Sequence, residues 1–355
     1  MNIASAAIQI GDHCIGPNHP PLVIAEMSGN HNQSLDRALE IVDAAAKAGA
    51  HALKLQTYTA DTITLNVRGS DFEIRDKGSH WAGQNLHDLY CKAHTPWEWH
   101  GPIMERARQH GMLCFSSPFD ESAVDFLEGL KAPAYKIASF ENNHLPLIRK
   151  AAATGKPLII STGMASLGEL EQAVAAARDG GCRDLVLLKC TSNYPATPAN
   201  SNIRTIPHLR DLFGCHVGLS DHTMGVGTAL AAVALGATVV EKHFTLSRAE
   251  GGVDSGFSME PEEFASLVYE SKRAWESLGG ISYGATSEEA DNTMLRRSVY
   301  VSEHISKGDA FTMQNLKIVR PGMGLSPSMI HLVLGRKAKR AFSQGDPLTI
   351  EDLLA

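Results

Sequence analysis

Two lysines lie inside short apolar segments, where a charged side chain requires a specific partner. Side chains alternate between faces along a strand, so Lys54 and Gln56 share the inner face in LKLQ, and Lys136 faces inward in YKIAS. An unpaired buried ammonium is very costly. Two alternatives are open: internal salt bridges to Glu26 and Glu241, or a phosphate or carboxylate ligand. The ligand is favoured because hydroxyl donors stand at neighbouring strand ends, namely Ser117, Ser139 and Ser161.

Two histidines follow apolar segments close to carboxylates, His222 after GLSD and His243 after VVEK. Neighbouring strand ends lie ~5 Å apart, so both imidazoles could reach one cation. Imidazole nitrogens bind divalent metals, and open coordination positions suit substrate oxygens and water. Mn²⁺ fits mixed nitrogen and oxygen ligation, with Mg²⁺ or Co²⁺ as alternatives. Purely structural histidines are the competing interpretation.

Two further side chains have both a functional and a structural interpretation. Glu26 ends an apolar segment and begins a polar loop, so it is a candidate acid–base or hydroxyl-binding group. Its alternative role is that of a partner for Lys54. Arg320 begins the glycine-rich segment RPGMG, which would form either an exposed turn or a cap that presents one guanidinium to a binding site.

The elements that must position these residues repeat along most of the chain. Short apolar segments alternate with stretches of helical spacing, at roughly 30 residues per unit, which predicts a (β/α)8 TIM barrel in the α/β class. Active sites of such barrels lie at the carboxyl ends of the strands. A doubly wound open sheet is the alternative, but its G-x-G-x-x-G turn is absent from the first loop, EMSGNHN. The predicted strands are 22–26, 51–56, 112–116, 134–138, 157–161, 184–190, 215–219 and 238–243, and the predicted helices include 34–48, 95–110, 121–130, 167–179, 225–235 and 261–278.

Two segments depart from this alternation of strands and helices. The connection 58–94 is too long for an ordinary strand-to-helix loop, and because it follows the second strand we expect it over the mouth of the active site. After residue 280 the periodicity ends. We therefore expect a barrel domain over 1–283, a polar linker over 284–295 and a second small domain over 296–355.

Composition limits the partners and the compartment. The chain of 355 residues carries 32 Lys+Arg and 39 Asp+Glu, a net charge of −7, and 43% of its residues are hydrophobic. These values exclude a wholly disordered chain and argue against binding of nucleic acid, which requires a basic surface. Six cysteines without a C-x-x-C pair predict free, mostly buried thiols in a reducing compartment. With no secretory signal or apolar segment long enough for a bilayer, we expect a cytoplasmic protein without a membrane partner.

A set of motifs in one order resembles the sialic acid synthase family. These motifs are IAEMSGNHN, ALKLQTYT, SSPFD, AYKIAS, STGM, GLSDHT and EKHFTL. A C-terminal segment that begins RRSVYVSEHISKGD and contains RPGMG is similar to the antifreeze-like SAF domain of that family. The resemblance spans nearly the whole chain. It implies condensation of phosphoenolpyruvate with the open-chain aldehyde of an acetamido sugar, with release of phosphate.

The resemblance also implies roles for individual residues. Glu26, His222 and His243 would be catalytic, with the two histidines holding a divalent metal that acts as a Lewis acid on the aldehyde. Lys54 and Lys136 would bind phosphoenolpyruvate together with Ser117, Ser139, Ser161, Ser192 and Ser220. Gln56, Glu141, Tyr194 and Asp254 match positions near the sugar. Arg320 matches an arginine that the SAF domain of one subunit places over the barrel of its partner, which implies a domain-swapped homodimer.

The resemblance extends to one branch of the family. KLQTYT, CTSNYP and HFTLSRAEGGVDSGFS are most similar to the pseudaminic acid branch, which implies 2,4-diacetamido-2,4,6-trideoxy-L-altrose as the sugar. N-acetylneuraminate synthases typically carry an asparagine where Ser192 stands here. The alternatives are an N-acetylneuraminate or legionaminate synthase with a different acetamido sugar, a metal-dependent aldolase, and a non-catalytic carbohydrate-binding barrel.

Overall fold

Parallel strands close into a barrel, as the alternating pattern predicts. The computed structural model describes residues 6–75 and 81–354. The strands of the first part of the chain are β1 Ile8–Ile10, β2 His13–Ile15, β3 Leu22–Glu26, β4 Ala52–Thr57, β5 Leu113–Pro118, β6 Tyr135–Ile137, β7 Leu158–Ser161, β8 Leu185–Cys190, β9 His216–Ser220 and β10 Val239–His243. The order of the strands around the barrel is β10-β3-β4-β5-β6-β7-β8-β9. The predicted (β/α)8 fold is therefore confirmed, and each predicted strand lies within two residues of an observed one.

Helices follow the barrel strands and cover them from outside. They are α1 Leu35–Lys47, α2 Ala60–Ile63, α3 Leu86–Ala93, α4 Trp97–Gln109, α5 Glu121–Gly129, α6 Leu145–Ala152, α7 Leu167–Asp179, α8 Thr205–Phe213, α9 Gly227–Ala234 and α10 Pro261–Leu278. Ser34 caps α1 by accepting a hydrogen bond from the Arg37 amide, and Ser166 with Glu169 forms a capping box at α7. These caps explain why the predicted helix boundaries are close to the observed ones.

The barrel strands bury both faces, which sorts their side chains into two layers. Leu53 and Leu55 belong to the core between strands and helices, whereas Ala52, Phe115 and Ile159 belong to the core inside the barrel. This alternation along β4 leaves Lys54 and Gln56 on the inner face, where the sequence predicts them.

An N-terminal hairpin, which the strand pattern of the sequence does not predict, extends the inner core. Strands β1 and β2 pair antiparallel, and Ile8, Ile10 and Ile15 join the same apolar cluster as Leu22 and Val239. Leu22 and Val239 begin their strands, so the hairpin packs at the amino-terminal end of the barrel. The opposite end, where the strands finish, carries the polar residues.

The long connection between β4 and α4 lies against a loop that follows β10. It contains α2 and α3, and the Trp81 indole nitrogen donates to the Val253 carbonyl oxygen at 2.9 Å. The Trp81 ring centroid lies 5.9 Å from that of Tyr194, which follows β8. The described part of the connection is thus placed over the carboxyl ends of the strands, as expected, while residues 76–80 lie outside the described residues.

The chain divides into two compact units, Met1–Gly279 and Gly280–Ala355. In the second unit, β11 Ser298–Val301 pairs antiparallel with β12 Leu316–Val319, and the unit also contains α11 Ile330–Val333 and α12 Glu351–Leu354. Its own apolar core includes Val299, Val301, Phe311, Leu316 and Phe342. The small domain therefore folds around a core of its own.

Two chemical features of the chain complete this description. All six cysteines are free, and Cys114, Cys182, Cys190 and Cys215 are buried, which confirms the prediction of mostly buried thiols. Within the described ranges, none of the helices combines the length and the apolar character that crossing a membrane requires.

Candidate active site

Strand register places Glu26 between a lysine and a histidine at the carboxyl end of the barrel. Glu26 pairs with Lys54 on β4 and with His243 on β10. The Lys54 ammonium lies 2.7 Å from Glu26 Oε2, 3.5 Å from Glu241 Oε1 and 3.3 Å from the Ser117 hydroxyl oxygen. These residues form one charged cluster inside the barrel.

Lys136 reaches the same cluster but is poorly paired. It is 2% exposed, and among the described residues the polar contact of its ammonium is Glu241 Oε1 at 3.5 Å. The same oxygen also faces Lys54 and accepts a hydrogen bond from the Ser220 hydroxyl at 3.4 Å. The salt bridges weighed in the sequence analysis therefore exist. They satisfy Lys54 well and leave most of the hydrogen-bonding capacity of Lys136 for a ligand.

Charge and burial shift the pKa values of this cluster in opposite directions. Burial raises the pKa of Glu26, and Glu241 adds to the rise, although Lys54 opposes it. Burial lowers the pKa of Lys136, and Glu241 offsets this only in part. For Glu241, burial is outweighed by Lys136 and Lys54, so its pKa is lowered. The cluster thus combines a carboxylate whose pKa is lowered, a carboxyl group whose pKa is raised and a poorly paired ammonium.

Within the described residues, several buried polar atoms that have no hydrogen-bond partner lie at this end of the barrel. They include the Ser161 hydroxyl at the end of β7, Glu241 Oε2 and His243 Nδ1 on β10, and Glu141 Oε2 in the loop after β6. Such groups are rare in folded proteins because each costs free energy. Several of them at one barrel end indicate a site made to meet a polar ligand.

Hydroxyl groups converge around Gly163, at a position where a larger side chain would not fit. The Gly163 amide donates to the Ser139 hydroxyl oxygen at 3.2 Å, and Cys190 Sγ lies 3.6 Å from the Ser192 hydroxyl oxygen. A Cβ atom at Gly163 would overlap both serine hydroxyls. Asn142 holds this region by donating to the carbonyl oxygens of Ser161 and Gly163 at 3.3 and 3.0 Å. Hydroxyls and backbone amides grouped in this way suit a phosphate or carboxylate.

The two predicted metal ligands lie side by side. The ring centroids of His222 and His243 are 5.3 Å apart. His222 Nδ1 lies 2.9 Å from the Thr191 carbonyl oxygen, so this nitrogen donates, and in the neutral ring the free lone pair is on Nε2. Burial lowers the pKa of His243 well below its usual range, with His222 as a further cause. For His222, burial is outweighed by the nearby Cys190 and Thr191, so its pKa is raised.

The donor set fits a metal held by few protein ligands. In the described part of the chain, no group of three or more His, Cys, Asp or Glu side chains is arranged to hold a metal ion. A neutral His243 with an unpartnered Nδ1 and a His222 with an oriented ring are nevertheless suitable imidazole ligands. A cation here would take two protein nitrogens and complete its coordination with substrate oxygens and water.

Among the residues predicted to contact a sugar, Tyr194 lies against the two histidines, whereas Gln56 and Asp254 belong to a polar chain that begins at Glu26. The ring of Tyr194 lies 4.4 Å from that of His222, and the ring of Phe257 lies 4.9 Å from that of His243. Gln56 Nε2 donates to Glu26 Oε1 at 2.8 Å and to the Ser28 hydroxyl oxygen at 3.1 Å. The Ser28 hydroxyl in turn donates to Asp254 Oδ2. An aromatic wall and a polar chain of side chains therefore flank the charged cluster.

The structure adds residues that sequence reasoning missed. Ser28, Gly163 and Asn142 shape the site, and Glu241 is a central member of the charged cluster rather than only a possible salt-bridge partner. The signal for Gly163 was present in the motif STGM. Arg320 is exposed and follows β12 in the second unit, so its place in the site stays a prediction.

The fold and the site define a (β/α)8-barrel enzyme whose mouth carries two neighbouring histidines and a cluster of buried charges. Residues 41–283 match the NeuB family and residues 296–354 match the SAF domain. The chain belongs to the NeuB family. It is 44% identical to a pseudaminic acid synthase of Campylobacter jejuni, over 92% of this chain and 94% of that protein. It is 41% identical to the Helicobacter pylori pseudaminic acid synthase, over 94% of this chain and 98% of that protein.

A solved structure agrees with this assignment. The crystal structure of the N-acetylneuraminic acid synthetase from Leptospira borgpetersenii, in complex with citrate, superposes with a TM-score of 0.71 at 32% identity. The match covers 81% of this chain and 95% of that chain. The resemblance noted from the motifs is therefore confirmed at the level of the family and of the fold.

Proposed function

We propose that this chain is a pseudaminic acid synthase, which condenses phosphoenolpyruvate with 2,4-diacetamido-2,4,6-trideoxy-L-altrose. The reaction joins C3 of phosphoenolpyruvate to the aldehyde carbon, adds water at C2 and releases inorganic phosphate. The observation that carries the proposal is the poorly paired, buried Lys136 beside converging serines in a chain 41–44% identical to pseudaminic acid synthases.

Phosphoenolpyruvate is bound, in this proposal, by the two lysines and the serines of the strand ends. Its phosphate and carboxylate bring negative charge to Lys54 and Lys136, of which Lys136 has the larger unused donor capacity. Ser117, Ser139, Ser161, Ser192 and Ser220 supply hydroxyl donors. Charge-assisted hydrogen bonds of this kind are roughly twice as strong as neutral ones.

Glu26 is assigned the acid–base role. Its carboxyl group is buried between Lys54 and His243, and burial raises its pKa to about 7, so this group is able to exchange a proton near neutral pH. Gln56 orients this group by donating to Oε1 at 2.8 Å. Glu26 therefore exchanges a proton with the reacting sugar oxygen or with the attacking water.

His222 and His243 are assigned to a divalent cation, with Mn²⁺ preferred over Mg²⁺ or Co²⁺. A divalent cation held by these two imidazoles would supply Lewis acidity toward the sugar aldehyde and toward the water that attacks C2. The protein contribution is the fixed orientation of two imidazoles, one set by Thr191 and one by burial on β10.

The sugar is assigned to Gln56, Glu141, Tyr194 and Asp254. The test is an assay of phosphate release from phosphoenolpyruvate with each of the sugars used by pseudaminate, legionaminate and N-acetylneuraminate synthases. We expect release only with the diacetamido-trideoxy-L-altrose. Faster release with another sugar would reassign the enzyme within its family, and turnover with pyruvate instead of phosphoenolpyruvate would indicate an aldolase.

The proposal also covers the second unit and the assembly. We assign residues 1–283 to the synthase barrel and 296–355 to a SAF cap, joined by the linker 284–295. Arg320 of one subunit is assigned to the sugar site of its partner in a domain-swapped homodimer. Six free cysteines support a cytoplasmic location for this enzyme.

A further inference from the structure

We propose that Ser28 is a positioning residue of the sugar site, which fixes Gln56 and Asp254 as hydrogen-bond acceptors for the sugar. The inference rests on the proposed function and deepens it, because it states which chemical groups of the sugar these two side chains recognise.

Ser28 adopts a backbone conformation that favours glycine. Its φ angle is +49°, in the left-handed region, and the residue is 3% exposed immediately after β3. A side chain with a Cβ atom is disfavoured there, whereas glycine adopts this conformation without cost. Strain of this kind persists when the surrounding structure holds the residue in place, and it is often found at functional sites. Replacing Ser28 by glycine would remove only Cβ and the hydroxyl group, so a function of this side chain depends on the hydroxyl group.

The hydroxyl group stands in the middle of a directed chain of hydrogen bonds. Gln56 Nε2 donates to it at 3.1 Å, and the hydroxyl donates to Asp254 Oδ2. The Gly29 amide approaches the same carboxylate oxygen at 3.5 Å. A serine hydroxyl has one hydrogen, so donation to Asp254 forces it to accept from Gln56. Ser28 thus couples two loops that approach the barrel mouth from β3 and β10 to a residue on β4.

This direction fixes which atom of Gln56 a ligand can use. One hydrogen of the amide group points to Ser28, and the other donates to Glu26 Oε1 at 2.8 Å. With both hydrogens engaged, Gln56 offers its carbonyl oxygen, an acceptor. Asp254 is likewise an acceptor as long as it is ionised. The pair therefore selects a sugar that presents donors here, which are hydroxyl groups or the N–H of an acetamido group.

The test compares Ser28→Gly, Ser28→Ala and the control Lys131→Gly in the full-length enzyme. Lys131 has φ +59° and is exposed after α5, so its replacement relieves a similar backbone conformation away from the mouth of the barrel. Measurements are thermal unfolding and separate KM values for sugar and phosphoenolpyruvate. We expect Ser28→Gly to keep or raise Tm by about 1–3 °C. We expect the KM for the sugar to rise about tenfold, as for the loss of one or two hydrogen bonds, with the KM for phosphoenolpyruvate within about twofold.

The other two variants distinguish a positioning role of Ser28 from a purely structural one. Ser28→Ala should show the same rise in sugar KM with a lower Tm than Ser28→Gly, and Lys131→Gly should change Tm alone. An unchanged sugar KM in Ser28→Gly overturns the proposal, as does an equal loss for both substrates. The wild-type enzyme distinguishes failure of the Ser28 proposal from failure of the proposed function. If the wild type prefers another of the tested sugars, the variants are compared with that sugar. If it releases phosphate with none of them, the proposed function has failed and the inference with it.

Discussion

The ammonium of Lys242 lies 2.9 Å from Oδ2 of Asp221, in an ion pair whose side chains are 1% and 2% exposed. Lys242 also donates to the carbonyl oxygens of Thr223 and Gly225 at 2.5 and 3.1 Å. Lys242 precedes His243, and Asp221 precedes His222. The ion pair therefore ties together the two segments that present the imidazoles, and it fixes their separation.

Lys242→Met is expected to destabilise the protein and to weaken divalent cation binding. The substitution leaves Asp221 buried without its partner, a change that costs about 3–5 kcal/mol. It also frees the loop that carries His222. Urea unfolding and calorimetric titration with Mn²⁺ measure the two effects. Lys272→Met is the matched control, because Lys272 pairs with Glu276 at 3.6 Å on an exposed helix face and should change stability by less than about 1 kcal/mol. Unaltered Mn²⁺ affinity in folded Lys242→Met would contradict the positioning argument.

Removal of divalent metal is expected to abolish turnover reversibly. His222 and His243 together supply two imidazole nitrogens, and we expect chelation to remove activity and Mn²⁺ to restore it. His243→Gln should lower Mn²⁺ affinity in direct titration while the barrel stays folded, because its Nδ1 has no partner to lose. Full turnover by a thoroughly metal-free preparation would show that the histidines have another role.

Lys136→Met is expected to weaken phosphoenolpyruvate binding far more than stability. The ammonium has one carboxylate contact at 3.5 Å, and burial lowers its pKa, so an apolar side chain of similar length costs the fold little. Loss of a charge-assisted hydrogen bond to phosphate or carboxylate is expected to raise the KM about 10–100-fold. Binding is measured by fluorescence or calorimetry and stability by urea unfolding. A variant that mainly unfolds would favour the salt-bridge interpretation of this lysine.

Glu141→Gln is expected to stabilise the protein at alkaline pH. Burial raises the pKa of Glu141 from 4.5 to about 7, although Lys136 opposes the shift. Because the folded state holds this proton more tightly, the free energy of unfolding falls as pH rises from 4.5 through 7. The loss is complete above that range. At pH 8 the variant should be more stable by on the order of 3 kcal/mol, with no gain at pH 4, and its KM for the sugar should rise. Equal effects at both pH values would exclude this origin.

Arg320→Ala is expected to retain the fold and lose sugar affinity, because the guanidinium is exposed and is assigned to acetamido oxygens of the bound sugar. Subunit mixing tests whether it acts in the partner. Dissociated and reassociated mixtures of Arg320→Ala with inactive Glu26→Gln should regain up to about a quarter of wild-type activity, since half of the heterodimer sites are intact and half of the dimers are mixed. Unchanged kinetics of Arg320→Ala, or no recovery of activity on mixing, would contradict the proposal that Arg320 acts in the sugar site of the partner subunit.

The barrel strands show how much of the site the sequence alone predicted. Alternation along LKLQ placed Lys54 and Gln56 inside because side chains in a strand point to opposite faces, a local property. Helical spacing predicted helices that begin near Ser34 and Ser166, and the side-chain caps at these two residues explain why the structure agrees. The motif order, read together, identified the family and the fold.

Tertiary structure alone decided which of these side chains meet. Glu241 became the shared partner of Lys54 and Lys136 because closure of the barrel brings β10 beside β3, which no local pattern specifies. The left-handed conformation of Ser28 and its bond to Asp254 join residues 226 positions apart. The N-terminal hairpin is likewise held by the inner core that it completes. Local chemistry thus determined what each residue can do, and long-range packing determined with which partner it does so.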